Sequence, residues 1–247
     1  MLTVVLPAYN EASALPTLLS EIDDRLGAGA VRYRLVVVDD GSTDATARIL
    51  KQARHRYPIS TCVHASNRGL GAALATGLRA AVTDVEGDVV VTMDADRTHE
   101  VSCIAAMMKG IAAGDDVVIA SRFQRHALMS GVPLRRRLMS RAANRMLASA
   151  YPTMHVRDFT SGFRAYRSTL LHRAFVVYGD ELLHEAGFAC VPGMLLRLAR
   201  LGARLSEVPI ALHYERKPTP SKLSLIETGR GVWGLLHGSS QRGTPGS

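Results

Sequence analysis

An apolar run ends in two closely spaced carboxylates in the segment Asp88-Val89-Val90-Val91-Thr92-Met93-Asp94-Ala95-Asp96. Residues 88–93 have the composition of a buried strand. Residues two apart in an extended segment point to the same side, so Asp94 and Asp96 can converge on one divalent cation. Carboxylates and substrate phosphates together commonly hold Mg²⁺ or Mn²⁺, and such an ion neutralises a leaving diphosphate. A solvated loop is the alternative interpretation of this motif taken alone.

Strand-like apolar runs alternate with amphipathic helical segments around this motif. The alternation predicts an α/β fold, with a mainly parallel sheet and helices on both of its faces. Ligands of such sheets bind at the carboxyl ends of the strands, where the polar clusters of this chain fall. Helices are predicted over 11–26 and 72–82. Another helix is expected to be capped by Ser42 or Thr43 and to end near 54, and a further one is expected to end near 113. The predicted strands are 2–6, 33–38, 59–63, 88–93 and 116–120.

The pattern changes after residue 121. We predict an Arg-rich helix over 134–150, a turn at 160–162, a strand over 163–166, a helix over about 194–201 and a strand over 205–210. Residues 1–222 are expected to form a single domain, followed by a basic and apolar tail at 223–247 whose last residues have a composition typical of disorder. The tail cluster of Trp233, Leu235 and Leu236 suits either packing or contact with a membrane surface.

Two further polar clusters follow predicted strands, namely Pro7-Ala8-Tyr9-Asn10-Glu11 and Asp39-Asp40-Gly41-Ser42-Thr43-Asp44. A helix start near its positive dipole explains one or two of the acidic residues in the second cluster, but not three. A carboxylate there could accept hydrogen bonds from a base or a ribose. The first strand lacks a GxGxxG turn, which argues against a dinucleotide-binding fold. The absence of a Gly-rich loop with a basic residue argues against a nucleotidyltransferase.

The chain of 247 residues carries a formal net charge of +8. This excess indicates a polyanionic partner, although a genome rich in G and C would also favour arginine. Few aromatic residues accompany the basic ones, so nucleic acid is not expected as a partner. The scattered cysteines, Cys62, Cys103 and Cys190, favour reduced thiols in the cytoplasm. The N-terminus is typical of a strand rather than a signal peptide, and no apolar run is long enough to span a bilayer.

The three polar motifs in this order resemble those of family 2 glycosyltransferases, which have the GT-A fold. The rest of the chain, over roughly 2–222, is similar to dolichol- and polyprenol-phosphate mannose synthases and their relatives. The supporting segments are Asn67-Arg68-Gly69-Leu70-Gly71, Ser121-Arg122-Phe123, Arg136 with Ser140-Arg141 and Asn144, Thr160-Ser161-Gly162-Phe163-Arg164-Ala165-Tyr166, and Val208-Pro209-Ile210 before Arg216 and Ser221-Lys222.

This resemblance implies inverting transfer of a sugar, with GDP-mannose favoured over a UDP-sugar, onto polyprenyl or dolichyl phosphate. It implies a protein that associates peripherally with the anionic cytoplasmic surface of a membrane. Asp96 and Arg122 would be catalytic, and Asp94, Asp96 and Thr98 would hold Mg²⁺ or Mn²⁺. The nucleotide sugar would contact Pro7, Ala8, Tyr9, Glu11, Val38, Asp39, Asp40, Asp94, Arg216 and Lys222. The acceptor phosphate would contact Arg122, Arg136 and Ser140.

The acceptor site has its own physical basis. Arg136 and Ser140 are four residues apart and share a helix face. Two guanidiniums can clamp a phosphate in a fixed geometry. Arg135 and Arg137 suit a solvated basic face. Near the metal motif, His99 is expected to form a hydrogen bond at a helix start rather than to bind the ion.

The sequence departs from the family pattern in three places. Thr98 replaces a residue that is often Gln, Thr219 replaces a Gly, and Cys190, Pro192 and Gly193 alter a later segment, where Pro192 is expected to break a helix. A second hypothesis therefore keeps the donor but uses a soluble hydroxyl acceptor. That route would need a carboxylate base, for which Asp180, Glu181 and Glu185 are candidates. A third hypothesis is a non-catalytic partner subunit.

Overall fold

The computed structural model describes residues 1–27, 31–82, 89–216 and 233–235. Most of its strands pair in one seven-stranded sheet. The strands are β1 Leu2–Ala8, β2 Tyr33–Asp39, β3 Ile59–Val63, β4 Val89–Thr92, β5 Val117–Ser121, β6 Leu128–Ser130, β7 Arg164–Arg167, β8 Leu205–Pro209 and β9 Ala211–His213. The order in the large sheet is β3-β2-β1-β4-β7-β5-β8. Only β7 is antiparallel to its neighbours in that sheet.

Helices cover both faces of this sheet. They are α1 Leu15–Leu26, α2 Thr46–Ala53, α3 Leu70–Val82, α4 Cys103–Ala112, α5 Leu134–Ala150, α6 Ser168–Tyr178 and α7 Cys190–Arg200. Short 3-10 helices occupy Pro152–Met154, Gly179–Leu183, Gly187–Ala189 and Tyr214–Arg216. The structure confirms the predicted fold class, a mainly parallel sheet between two layers of helices.

The core consists of two apolar layers, one on each face of the sheet. Val4 and Leu6 of β1 pack in the layer that includes α1 and α4, whereas Val5 packs in the layer that includes α3, α6 and α7. This follows from the alternation of side chains along a strand, and it explains why the central strands are apolar throughout. Helix α3 can approach strand β1 closely because Gly77 has no side chain, and a Cβ there would lie 2.5 Å from Val5.

Several helix starts differ from the prediction, and two of them have a proline in the first turn. Helix α2 begins at Thr46 with Ala45 at its N-cap, so the predicted cap at Ser42 or Thr43 is wrong. Helix α1 begins at Leu15 rather than at residue 11, with Pro16 in its first turn. Helix α7 begins at Cys190 rather than near 194, so Pro192 lies inside its first turn and does not break it. The first-turn N–H groups have no partner within a helix, and proline therefore costs nothing there.

Some elements escaped prediction altogether. Strands β6 and β9 form a separate parallel pair. Helix α6 and the antiparallel direction of β7 were also not predicted. Within the described residues, no helix combines the length and the apolar character that crossing a bilayer requires. The single-domain boundary at 222 stays a prediction, and the tail lies outside the described residues except for 233–235.

Candidate active site at the carboxyl edge of the sheet

The two aspartates of the central motif lie directly after β4. Asp96 is buried and Asp94 is half-buried. The backbone N–H and the hydroxyl of Thr98 donate to Asp96 Oδ1 at 3.1 and 2.7 Å. Arg97 adopts a left-handed conformation with φ 65° between them, which is uncommon for a residue other than glycine. Thr98 is thus placed to orient the Asp96 carboxylate, and its role as a metal ligand stays a prediction.

The donor set of this motif suits a hard divalent cation. Among the described residues, no cluster of three or more His, Cys, Asp or Glu side chains could hold a metal. Two carboxylates with open coordination positions for phosphate oxygens are typical of Mg²⁺ sites that bind substrate phosphates. His99 stacks on Phe163 with ring centroids 4.9 Å apart, and its buried Nδ1 has no hydrogen-bond partner in the described part of the chain. The helix-start hydrogen bond expected of His99 therefore does not come from Nδ1, and it otherwise stays a prediction.

The ends of β1 and β2 lie side by side, as the nucleotide-site prediction requires. Pro7 pairs with Val38 and Ala8 pairs with Asp39 in register. Asn10 locks the loops that follow, because its N–H donates to Ser42 Oγ at 2.9 Å and its side-chain oxygen accepts from Thr43 N at 2.8 Å. Tyr9 and Glu11 flank Asn10, so their backbone positions are fixed by the same contacts.

Asp40 differs from its neighbour Asp39 in what it contacts. Its carboxylate accepts hydrogen bonds from the backbone N–H groups of Arg68 and Gly69 at 3.0 and 2.8 Å. Its Oδ1 also lies 2.6 Å from Nδ1 of the buried His64. These contacts anchor the turn after β3 against the turn after β2. Contact of Asp40 with the nucleotide stays a prediction.

The loop before β7 brings Arg122 to the metal motif. Thr92 Oγ1 donates to the carbonyl of Gly162 at 2.7 Å, and a side chain at Gly162 would come within 3.9 Å of Asp94 Oδ1. Arg122 makes two hydrogen bonds to Asp158, from Nε at 2.8 Å and from Nη2 at 2.7 Å. Asp158 is fully buried. The Nε–Nη2 edge of the Arg122 guanidinium is therefore bound to Asp158 and does not face a phosphate.

Both groups of this pair have shifted pKa values. Burial by itself lowers the pKa of Arg122, but the charge and hydrogen bonds of Asp158, with a contribution from Asp94, raise it overall. Burial by itself raises the pKa of Asp158, but the charge and hydrogen bonds of Arg122, and the charge of Arg164, lower it overall. The pair stays ionised at neutral pH, so Arg122 keeps its positive charge beside the metal motif.

Helix α5 is joined to the same loop. Asn144 is buried, and its amide donates to Thr160 Oγ1 at 2.9 Å and to the carbonyl of Ser140 at 2.7 Å. Thr160 Oγ1 in turn lies 2.6 Å from Nη2 of Arg122. The structure thus connects two of the predicted acceptor residues, Arg122 and Ser140, through Asn144 and Thr160.

The arginines of α5 differ in their surroundings. The Arg136 guanidinium lies over the ring of Tyr214, 5.6 Å from its centroid. Arg135 is exposed as predicted, but Arg137 is half-buried, with Nε buried and without a hydrogen bond to any described residue. Arg137 shares the helix face of Asn144, seven residues later, which packs on the protein. Arg216 is exposed in the last 3-10 helix, and Lys222 and Thr219 lie outside the described residues.

The three carboxylates suggested as a base for a hydroxyl acceptor all have basic partners. Asp180 lies 2.8 Å from Nη2 of Arg79, and Glu185 binds Arg197 at 2.6 Å. Glu181 lies 3.3 Å from His184. Gly193 lies against the Glu185 carboxylate, and a side chain at this position would displace that carboxylate.

Two residues of the site, Asp158 and Glu207, were not predicted from the sequence. Glu207 lies on β8, and its Oε1 accepts from the backbone N–H of Asp158 at 2.7 Å. Asp158 lies two residues before the segment 160–166 that carries part of the family resemblance, which was the one available signal. Its partner Arg122 lies 36 positions away in the sequence, so the pairing itself was not visible.

Residues 3–175 match the family model for glycosyl transferase family 2. A dolichol-phosphate mannosyltransferase of Pyrococcus furiosus is 32% identical over 196 residues, which are 79% of this chain but only 52% of that protein. The chain therefore spans about half the length of that relative. An undecaprenyl-phosphate mannosyltransferase of Micrococcus luteus is 32% identical over 241 residues, which are 94% of this chain and 93% of that protein.

The fold is similar to that of glucosyl-3-phosphoglycerate synthase from Mycobacterium tuberculosis. The structure of that protein in complex with Mn²⁺, UDP-glucose and phosphoglyceric acid superposes with a TM-score of 0.67 at 22% identity, over 100% of this chain and 81% of that one. Its complex with Mg²⁺ and UDP gives a TM-score of 0.65 at 22% identity, over 96% and 76% of the two chains. This similarity confirms the GT-A fold.

Proposed function

The chain belongs to glycosyl transferase family 2, and we propose that it transfers mannose from GDP-mannose to a polyprenyl phosphate with the help of Mg²⁺ or Mn²⁺. One observation carries the proposal. The loop of residues 158–162 holds the charged Arg122 beside the two aspartates that follow β4. A phosphate-bearing acceptor needs a positive charge, which Arg122 would supply. A metal-bound diphosphate needs carboxylates to hold the metal ion, which Asp94 and Asp96 would supply at the same edge of the sheet.

Asp94 and Asp96 would hold the ion, with Thr98 orienting Asp96. When bound, the ion neutralises charge on the leaving diphosphate. The residues after β1 and β2 would hold the nucleotide, with Asp39 facing it and Asp40 fixing the loop behind. The solved relative binds Mn²⁺ or Mg²⁺ together with UDP, which supports metal use at this edge. The names of the two mannosyltransferases support mannose as the sugar.

The acceptor side requires little proton transfer. A phosphate monoester has a second pKa near 6, so it is already largely ionised at neutral pH. Arg122, held by Asp158 along one edge, would present its remaining Nη1 to the acceptor phosphate. Arg136 and Ser140 would contact the phosphate from α5. Catalysis would then depend on positioning and charge rather than on a general base. The pairing of Glu185 with Arg197 supports this view, because that carboxylate is engaged elsewhere.

Helix α5 would bring the protein to its lipid acceptor at the cytoplasmic face of the membrane. It carries five arginines and no acidic residue. Leu134 and Leu138, one turn apart, are 68% and 57% exposed, and Leu128 of β6 is 65% exposed. Cationic helices with exposed leucines lie in the interface of anionic membranes, where each basic residue contributes about 1 kcal/mol. We therefore propose peripheral association through this helix.

The test is a transfer assay with a panel of labelled GDP- and UDP-sugars, polyprenyl phosphate and Mn²⁺. The expected product carries mannose, requires the divalent ion and partitions into organic solvent. Phosphoglyceric acid and a soluble alcohol serve as competing acceptors. A product that stays in water would reject the lipid acceptor, and undiminished transfer in a chelator would reject the metal. Preference for another labelled sugar would reject GDP-mannose alone.

A further inference from the structure

The segment that carries Asp158 is irregular, although part of it is buried. It lies between the 3-10 helix Pro152–Met154 and strand β7, and Asp158 itself is fully buried. Backbone N–H groups in such a segment need acceptors from elsewhere in the protein. Glu207 supplies one, because its Oε1 accepts from the N–H groups of Arg157 at 3.0 Å and of Asp158 at 2.7 Å.

The other carboxylate oxygen of Glu207 reaches the segment that carries Arg122. Its Oε2 accepts from Gln124 Nε2 at 2.9 Å. Glu207 stands opposite Ile119 where β8 pairs with β5, and β5 leads directly to Ser121 and Arg122. One half-buried carboxylate therefore bridges the two segments whose side chains form the Arg122–Asp158 pair.

We propose that Glu207 is a positioning residue for sugar transfer, which fixes Asp158 and thereby aims Arg122 at the acceptor phosphate. The inference rests on the proposed function, since it takes Arg122 to contact the acceptor. Glu207 itself does not touch the substrates. Its effect comes from the geometry of the bidentate pair, because a small shift of Asp158 turns the guanidinium plane of Arg122.

Three variants at this position separate positioning from simple stabilisation. Glu207→Ala removes both bridges and should lower acceptor kcat/KM about 10-fold, with nucleotide-sugar affinity unchanged. Glu207→Gln keeps an oxygen for the two backbone N–H groups and should recover most of that loss. Glu207→Asp keeps the charge but moves the carboxylate away from the two backbone N–H groups. It should fold readily and give an intermediate loss of acceptor kcat/KM. Ser206→Ala is the matched control, because its hydroxyl donates to Asp115 at 2.6 Å, away from Arg122.

The deciding experiment is a double-mutant cycle with Arg122→Ala, measured as acceptor kcat/KM at saturating donor. If Glu207 acts through Arg122, Glu207→Ala should add less than about twofold in the Arg122→Ala background. A full 10-fold loss in that background would overturn the positioning role and leave the acceptor assignment intact. Wild-type acceptor kinetics of Arg122→Ala alone would overturn the acceptor assignment, and this inference with it. A lowered melting temperature with unchanged kcat/KM in all Glu207 variants would show a purely structural role.

Discussion

Asp158→Asn should destabilise the protein far more than its single-atom change suggests. The carboxylate accepts from Arg122 Nε and Nη2, and also from the backbone N–H groups of Arg122 and Ser161 at 2.9 and 3.0 Å. An amide would turn a donor –NH₂ towards a guanidinium that has only donors. Breaking a buried ion pair on one side costs about 3–5 kcal/mol. For a domain of this size, that corresponds to a fall in melting temperature of roughly 6–20 °C.

The pH dependence of this effect has a definite sign. The pKa of Asp158 is lowered in the folded state, so its stabilising contribution is complete above the unfolded pKa of about 3.9 and is lost as the pH falls through the lower folded value. The difference in melting temperature between wild type and Asp158→Asn should therefore be constant near neutral pH and shrink only under strongly acidic conditions. Thermal melts followed by circular dichroism across this range measure it directly.

A second substitution tests whether the charge is the cause. Adding Arg122→Met to Asp158→Asn removes the cation that has lost its counter-charge, and replacing both partners of such a pair is often close to neutral. The double variant should melt well above Asp158→Asn alone, while its acceptor kcat/KM stays as low as that of Arg122→Met. The ion pair does not stabilise the protein in this way if Asp158→Asn melts within about 1 °C of wild type, or if the double variant is no more stable than the single one.

Three other outcomes follow from the proposed site. Asp96→Asn should abolish sugar transfer and the Mn²⁺-dependent part of nucleotide affinity measured by calorimetry, whereas Glu100→Gln on the same loop should affect neither. If Asp96→Asn binds the nucleotide with the same Mn²⁺-dependent affinity as wild type, the ion is not held by this motif. Arg136→Ala should lower acceptor kcat/KM about 10- to 150-fold with donor affinity intact, Arg136→Lys should recover part of it, and exposed Arg135→Ala should change little; a loss confined to donor binding would assign α5 to the donor pocket. The protein should sediment with anionic vesicles, be released by high salt, and bind less after Leu138→Glu; retention in high salt would contradict peripheral binding.

The donor half of the molecule was the easier part to predict. The first five strands appear within about two residues of their predicted bounds, because buried parallel strands between helices leave a strong local pattern. The polar clusters at 7–11, 39–44 and 94–96 lie at the same edge of the sheet, as parallel strands require.

The acceptor half was harder, because its elements are short and its contacts are long-range. Strands β6 and β9 have three residues each, which is too few for a periodic signal. Glu207 and Asp158 are 49 positions apart, and no local rule pairs them. The expected helix break at Pro192 was wrong, because the effect of a proline depends on its position within the helix, and packing decides where the helix begins.

The fold class, the edge of the sheet where the polar clusters lie, and the family could all be predicted from local periodicity and from motifs at strand ends. The use of each charged group could not, because it depends on contacts between distant segments. Asp39 and Asp40 are adjacent and alike in sequence, yet Asp40 binds His64 and the turn after β3. Arg122 is a plain basic residue in sequence, yet a buried carboxylate fixes one edge of its guanidinium. Such assignments depend on which distant segment supplies the partner, since a buried charge must be paired, and that choice is made by packing rather than by local sequence.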